Sequence, residues 1–175
     1  MHRIAGFALA LLLTACQTTA YQDENSPYYT VPAGTRLILH RGLTVPADRL
    51  DVHLQGGRVL AYAEVNPYHP YCALDLHRRM DTPQTVAAGE FTVRKISQAI
   101  IQTRRAPGAV LASGGSPSFE IYNTILELRS EHQLQVARLT CAQWVYPPQQ
   151  RHVTINEMRR ALGNVFTLQL PGKGG

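Results

Sequence analysis

Between Leu50 and Tyr62 the chain alternates and then doubles back. Leu50, Val52 and Leu54 interleave with Asp51, His53 and Gln55, Gly56-Gly57 follows, and Val59-Leu60-Ala61-Tyr62 returns. A period of two puts all the apolar side chains on one side of an extended strand, and paired glycines accept the positive φ angles of a tight hairpin turn. The same grammar recurs along the chain. Leu37 and Leu39 sit between Arg36 and His40, and further strand candidates are Cys72–Leu76, Phe91–Ile96, Phe119–Leu128, Ala137–Cys141 and Val165–Leu170. The run from Phe119 is the longest of these and is rich in β-branched and aromatic residues. Turns rich in Pro, Ala and Gly precede three strands, at Val31–Gly34, Val45–Asp48 and Val86–Gly89, and residues 105–118 form a Gly-, Pro- and Ser-rich loop. One segment breaks the pattern: Thr154 and Glu157 form a capping box, Ile155, Met158, Ala161 and Leu162 have helical spacing, and Gly163 stands at the C-cap. The expected fold is all-β: an antiparallel β-sandwich or small barrel of about 7–9 strands with one short C-terminal helix.

The first residues follow different rules. His2 and Arg3 precede an apolar run from Ile4 to Leu13. A spanning helix needs roughly 20 apolar residues, so this run has the length of a signal-peptide core instead. It ends in Leu13-Thr14-Ala15-Cys16, which resembles the bacterial lipobox. That resemblance implies cleavage before Cys16 and acylation of the cysteine, with two or three chains giving firm membrane anchoring. Gln17, in place of an aspartate, implies by the same resemblance an outer-membrane location facing the periplasm. The expected organisation is a signal peptide over residues 1–15, a polar flexible tether over 16–27, a single β-rich domain over 28–170 and a disordered tail over 171–175.

Once Cys16 is committed to lipid, Cys72 and Cys141 remain. In an oxidising periplasm such a pair is most simply a disulfide, which in the chain-entropy picture stabilises by about 4 kcal/mol. A reactive thiol or half of a metal site are the alternatives. Neither cysteine belongs to a CxxC, and both lie in strand-like apolar segments.

The charge balance is mildly basic, with 17 Lys and Arg against 12 Asp and Glu. The Arg and Lys pairs at 78–79, 94–95, 104–105 and 159–160 are scattered, and no aromatic-interleaved basic run supports nucleic-acid binding. No GxSxG, HExxH, P-loop or GxGxxG occurs, so no catalytic residue, metal or cofactor is expected. His69 and His77, flanking Cys72 and Asp75, make the nearest approach to a metal cluster. Ordinary surface histidine explains them better. Asp75 with Glu90 as a carboxylate pair and the Ser113–Ser118 loop as a nucleophile or anion site are weaker still. A hydrolase would need at least two of His69, Asp75, His77 and Ser116 to converge in one cleft.

The aromatic residues leave more room. Asn66-Pro67-Tyr68-His69-Pro70-Tyr71 is stiff and amphipathic, and Tyr146-Pro147-Pro148 beside Trp144 is a second such stretch. A bridge between Cys72 and Cys141 would bring both to one end of the fold, making Tyr68, Tyr71 and Trp144 a candidate binding surface. Open edge strands offer a second route, by addition of a partner's strand. Lipobox, polar tether, the Pro70-Tyr71-Cys72 element and the Leu139-Thr140-Cys141 strand end together resemble small uncharacterised proteobacterial lipoproteins. The resemblance carries over no activity. The functional expectation is a non-enzymatic, membrane-anchored envelope protein that binds another envelope protein; a glycan- or lipid-binding module and a periplasmic hydrolase are the alternatives.

Overall fold

In the computed structural model, residues 23–103, 119–146 and 149–172 are described. The leader, Cys16 with its neighbours, the 105–118 loop including Ser116, Pro147-Pro148 and the last three residues lie outside them. Among the described residues ten strands form: β1 (Arg36–Leu39), β2 (Leu43–Val45), β3 (Asp51–Gln55), β4 (Arg58–Leu60), β5 (Tyr71–Leu76), β6 (Gln84–Val86), β7 (Gly89–Thr103), β8 (Phe119–Arg129), β9 (Val136–Val145) and β10 (Phe166–Gln169), with one α-helix, α1 (Ile155–Leu162). Eight of the strands make one antiparallel sheet in the order β10-β1-β7-β8-β9-β5-β3-β4, and β2 pairs with β6 alone. The large sheet curls into half a barrel. The all-β expectation holds, and its finer form is an open, curled sheet filled by a helix.

Alternation explains the curl's filling. Leu37, Leu39, Phe91, Val93, Leu126, Leu139, Leu74, Val52 and Leu54 all bury on the concave face. Helix α1 packs there against β3, β5 and β10, burying Ile155, Met158, Ala161 and Leu162. Each fully buried Leu or Ile contributes about 1.5–3 kcal/mol. The small sheet closes the same core with Leu43, Val45 and Val86.

The helix ends as its sequence predicts. Thr154 Oγ1 accepts from the Glu157 amide at 3.2 Å, and Glu157 Oε2 accepts from the Thr154 amide at 2.9 Å. At the other end Gly163 adopts φ 54°, and a Cβ there would lie 2.3 Å from the Cα of Gly57 in the β3–β4 turn. That turn donates its Gly57 amide to the Ala161 carbonyl at 3.0 Å. Two glycines meeting backbone to backbone thus lock the hairpin onto the end of the helix.

Cys72 and Cys141 stand directly opposite one another in the β5–β9 ladder and are bonded, with an S–S distance of 2.07 Å. The disulfide is therefore confirmed. The fold begins earlier than the expected boundary at residue 28. Residues 23–26 dock on α1: Glu24 pairs with Arg159, its carbonyl accepts the Asn156 amide at 3.2 Å, and Asn156 Nδ2 donates to Asn25 Oδ1 at 2.9 Å. Polar composition marked this segment as tether, yet its polar atoms are what the helix surface engages.

Candidate functional site

The long strands β7, β8 and β9 run past the helix-filled core, and beyond it their faces exchange character. In the lower part the concave face is apolar and the convex face carries Lys95, Glu127, Arg138 and Thr140. In the upper part the concave face carries Gln98, Gln102, Glu120, Tyr122 and Gln143, with Ile100 among them. Glu120 there accepts from Tyr122 Oη at 2.9 Å, Gln150 Nε2 at 3.1 Å and Gln102 Nε2 at 3.2 Å. The upper convex face instead shows a rung of Ile101, Ile121 and Trp144, each opposite the next across the three strands. Phe119, two residues from Ile121, points the same way.

Four rings gather on this rung. Phe119 stacks on Trp144 with centroids 4.7 Å apart and planes 13° from parallel, and Tyr68 stacks on Tyr146 at 5.7 Å and 11°. The two pairs meet edge to face, Tyr68 on Trp144 at 5.9 Å and 80°, Phe119 on Tyr146 at 5.9 Å and 79°. Offset stacking and edge contacts are what ring quadrupoles favour, at about 0.5–1.5 kcal/mol per pair. A hydrogen bond of 3.1 Å joins the hydroxyls of Tyr68 and Tyr146. Despite this mutual packing, Tyr68 remains 47% exposed and Tyr146 41%. Pro67 fixes the loop to the sheet, its carbonyl accepting the Trp144 amide at 2.7 Å.

Tyr71 lies on the inner flank of the quartet. It pairs with Ala142, two residues from Trp144 on the same face, and burial pushes its phenol above the ordinary value. The expected convergence of Tyr68, Tyr71 and Trp144 is therefore found, in the register that the disulfide imposes. Phe119 and Tyr146 join them. Tyr146 was legible as part of the stretch beside Trp144; Phe119 becomes a neighbour only through the β8–β9 pairing.

Beside the quartet a groove of about 390 Å³ is lined by Tyr68, His69, Gln143, Trp144, Arg151 and Glu157. Arg151 holds Glu157 through two hydrogen bonds of 2.7 Å, and this pair keeps the Glu157 carboxyl down at about 2, its guanidinium contact being the main cause. The groove is thus a ring-walled channel edged with fixed polar groups. A second, more apolar cleft of about 540 Å³ lies over β2, β3 and β4. His53 forms part of its floor, buried against Tyr62 at 5.2 Å, with Nε2 3.9 Å from Asp51 Oδ2 and its protonation depressed by burial.

The proposed catalytic set does not assemble. His69 lines the groove and Asp75 is buried in a pair with Arg138 at 2.6 Å and Thr140 at 3.1 Å. His77 follows the end of β5, beyond a register shift at Asp75/Leu76, and lines a different depression with Arg94 and Gln133. Ser116 lies outside the described residues. Glu90, the other member of the suggested carboxylate pair, is bound by Arg36. Among the described residues no three His, Cys, Asp or Glu side chains group as metal ligands, and no helix is long and apolar enough to cross a membrane. The chain matches no family model, no curated protein and no solved structure.

Proposed function

We propose that this chain is a lipid-anchored envelope protein that performs no catalysis and holds another envelope protein against the convex face of its β7–β8–β9 extension. One observation carries the reading: above the core the convex face turns from charged to apolar, with four rings, Ile101 and Ile121 outward, while glutamines and Glu120 enter the concave face beside Ile100. Nothing in the protein's own core needs that arrangement. Rings with both apolar area and a polar tip are the side chains that anchor protein interfaces, because they bury area at small entropic loss. The lipobox-like leader supports the location, since it would tether the domain beside membrane-bound partners.

The test is in-cell photocrosslinking from Tyr68 and Tyr146 in the full lipidated chain, with Arg79 as a control on another surface. One dominant envelope protein should be trapped from the two tyrosines and not from Arg79, and Tyr68→Ser with Tyr146→Ser should abolish capture elsewhere on the face while the chain still melts cooperatively as a folded protein. Equal capture from all three positions, or none above background, overturns the proposal.

The groove beside the quartet favours a second reading, a short glycan laid on the rings with its hydroxyls toward Gln143, His69 and Arg151. Trp144 is the chain's one tryptophan, so its fluorescence reports contact directly. Saturable quenching by cell-wall glycan fragments supports this reading, and an unchanged spectrum removes it.

A further inference from the structure

Strand β7 pairs with β8 from Thr92 to Thr103, but on its other side β1 reaches only as far as Thr92, with Gly34 and Thr35 adding last bonds to Val93. From Lys95 to Thr103 that second side has no strand partner among the described residues. An open edge is a ready template for another strand, and proteins ordinarily blunt it with proline, bulges or inward charge. Here the bulge falls at Arg94, below the open stretch, and the stretch contains no proline. Lys95 is its single charge, already paired with Glu127 at 3.5 Å. Ile100 and Ile101 are each 53% exposed, one on either face.

We infer that this edge is the interface for a second copy of the same chain, the two β7 strands pairing antiparallel about a twofold axis through Gln98. The sequence is complementary to itself in that register. Gln98 faces its own copy, Ile96 faces Ile100, Ser97 faces Ala99, and Lys95 faces Ile101. Directly opposed residues point to the same side of an antiparallel pair, so both isoleucine–isoleucine contacts form on the concave face and no like charges oppose. A shift of the axis by one residue, to Ala99, would set Ile100 against Gln98 and Ile96 against Gln102, so the apolar pairing selects the first register. A twofold interface uses one patch twice, and this patch ends at Arg94, where the bulge stops the ladder. The axis stands perpendicular to the sheet, so the two aromatic quartets emerge on one side of the pair. This inference does not depend on what the quartets bind.

Register-specific crosslinking of the full chain, in membranes and after detergent extraction, tests it. Directly opposed residues in an antiparallel pair lie about 4.5–5.5 Å apart, within disulfide reach. Gln98→Cys should therefore form a covalent dimer with itself under mild oxidation. Ser97→Cys and Ala99→Cys should each stay monomeric alone and crosslink when mixed. Charge supplies a second reading by light scattering, with thermal melting to verify the fold. Ile101→Lys, which sets two lysine pairs across the axis, should lose the dimer, whereas Ile101→Glu, facing Lys95, should keep it. A monomer at all concentrations, equal crosslinking at positions 97, 98 and 99, or loss of the dimer in both Ile101 variants would overturn the inference.

Discussion

The lower and upper halves of β7, β8 and β9 are the same strands under opposite rules. Below, Leu126 and Leu139 are fully buried on the concave face, and charged residues such as Lys95 and Glu127 occupy the convex one. Above, Ile101 and Ile121 sit outward beside Trp144, and the concave side carries glutamines, Tyr122 and Glu120 together with Ile100. The lower half is shaped by folding, since the helix supplies the surface that its apolar face needs. Folding supplies no such surface to the upper half. It is held up by the continuity of the ladder, and its outer apolar side chains are covered only in part, Ile101 staying half exposed while Tyr68 and Phe119 lie on Trp144. Stability and recognition thus occupy successive rungs of one sheet.

The disulfide lies between these halves, one rung above Leu139 and Leu74. Its loss should give the largest effect. Reduction, or replacement of Cys72 and Cys141 together by alanine, should destabilise the chain by about 4 kcal/mol and lower the melting temperature by roughly 10 °C. Parallel thermal melts with and without reductant read this directly. If the two halves were one uniform unit, the quartet's ring geometry would survive reduction unchanged; the comparison requires Trp144 fluorescence to shift before the core melts, because Trp144 lies three residues beyond Cys141.

Leu126→Ala tests the lower half alone. The side chain is fully buried in the core opposite Leu139, so its truncation should cost about 3 kcal/mol by loss of contacts and by the cavity left. Chemical denaturation should show a lowered midpoint with an unchanged slope. Capture of a partner through Tyr68 and Tyr146 should persist wherever the variant is folded.

How much of this was legible in the sequence follows the same division. The hairpin around Gly56-Gly57, the capping box at Thr154 and the pairing of Cys72 with Cys141 were all readable, because each is enforced locally or by counting. Strands β2 and β6 leave no mark in the sequence beyond the turns that begin at Val45 and Val86: three residues are too few to show a period, and both valines are buried by tertiary contact alone. The strand expected at Phe91–Ile96 continues to Thr103, and its upper part went unread because Ala99-Ile100-Ile101 breaks alternation. Alternation records which face meets the core, and that stretch meets none. The aromatic convergence was readable through the disulfide, whereas Phe119 entered only with the strand register.

Acid separates the halves again, more gently. Glu157 is held at about 2 against an ordinary 4.5, chiefly by Arg151 and also by the Thr154 cap. A carboxyl whose folded value is depressed adds stability that is complete above its unfolded value and lost as pH falls through the folded one. The window is therefore pH 4.5 down to 2, and the contribution is on the order of 2 kcal/mol once the half-open Arg151 is allowed for. Melts across that range should decline in the parent and run flatter in Glu157→Gln. Because Glu157 caps the helix and also edges the groove, glycan quenching of Trp144, if present, should weaken over the same interval.

The smallest expected effect is the sharpest test of the contrast. Ile101→Ser removes a branched apolar side chain from the middle of a long strand, which in the lower half would cost several kilocalories. Here the side chain is half exposed and faces Ile121 across a single strand, so the isolated chain should change by no more than about 0.5 kcal/mol. Denaturation at low protein concentration, where copies are apart, reads that value. The same substitution measured at high concentration should show a larger loss, because the side chain then has a second strand to meet. A cost of several kilocalories at low concentration would mean that the upper rungs pack for the fold's own sake, and the division between a half that folds and a half that binds would fail.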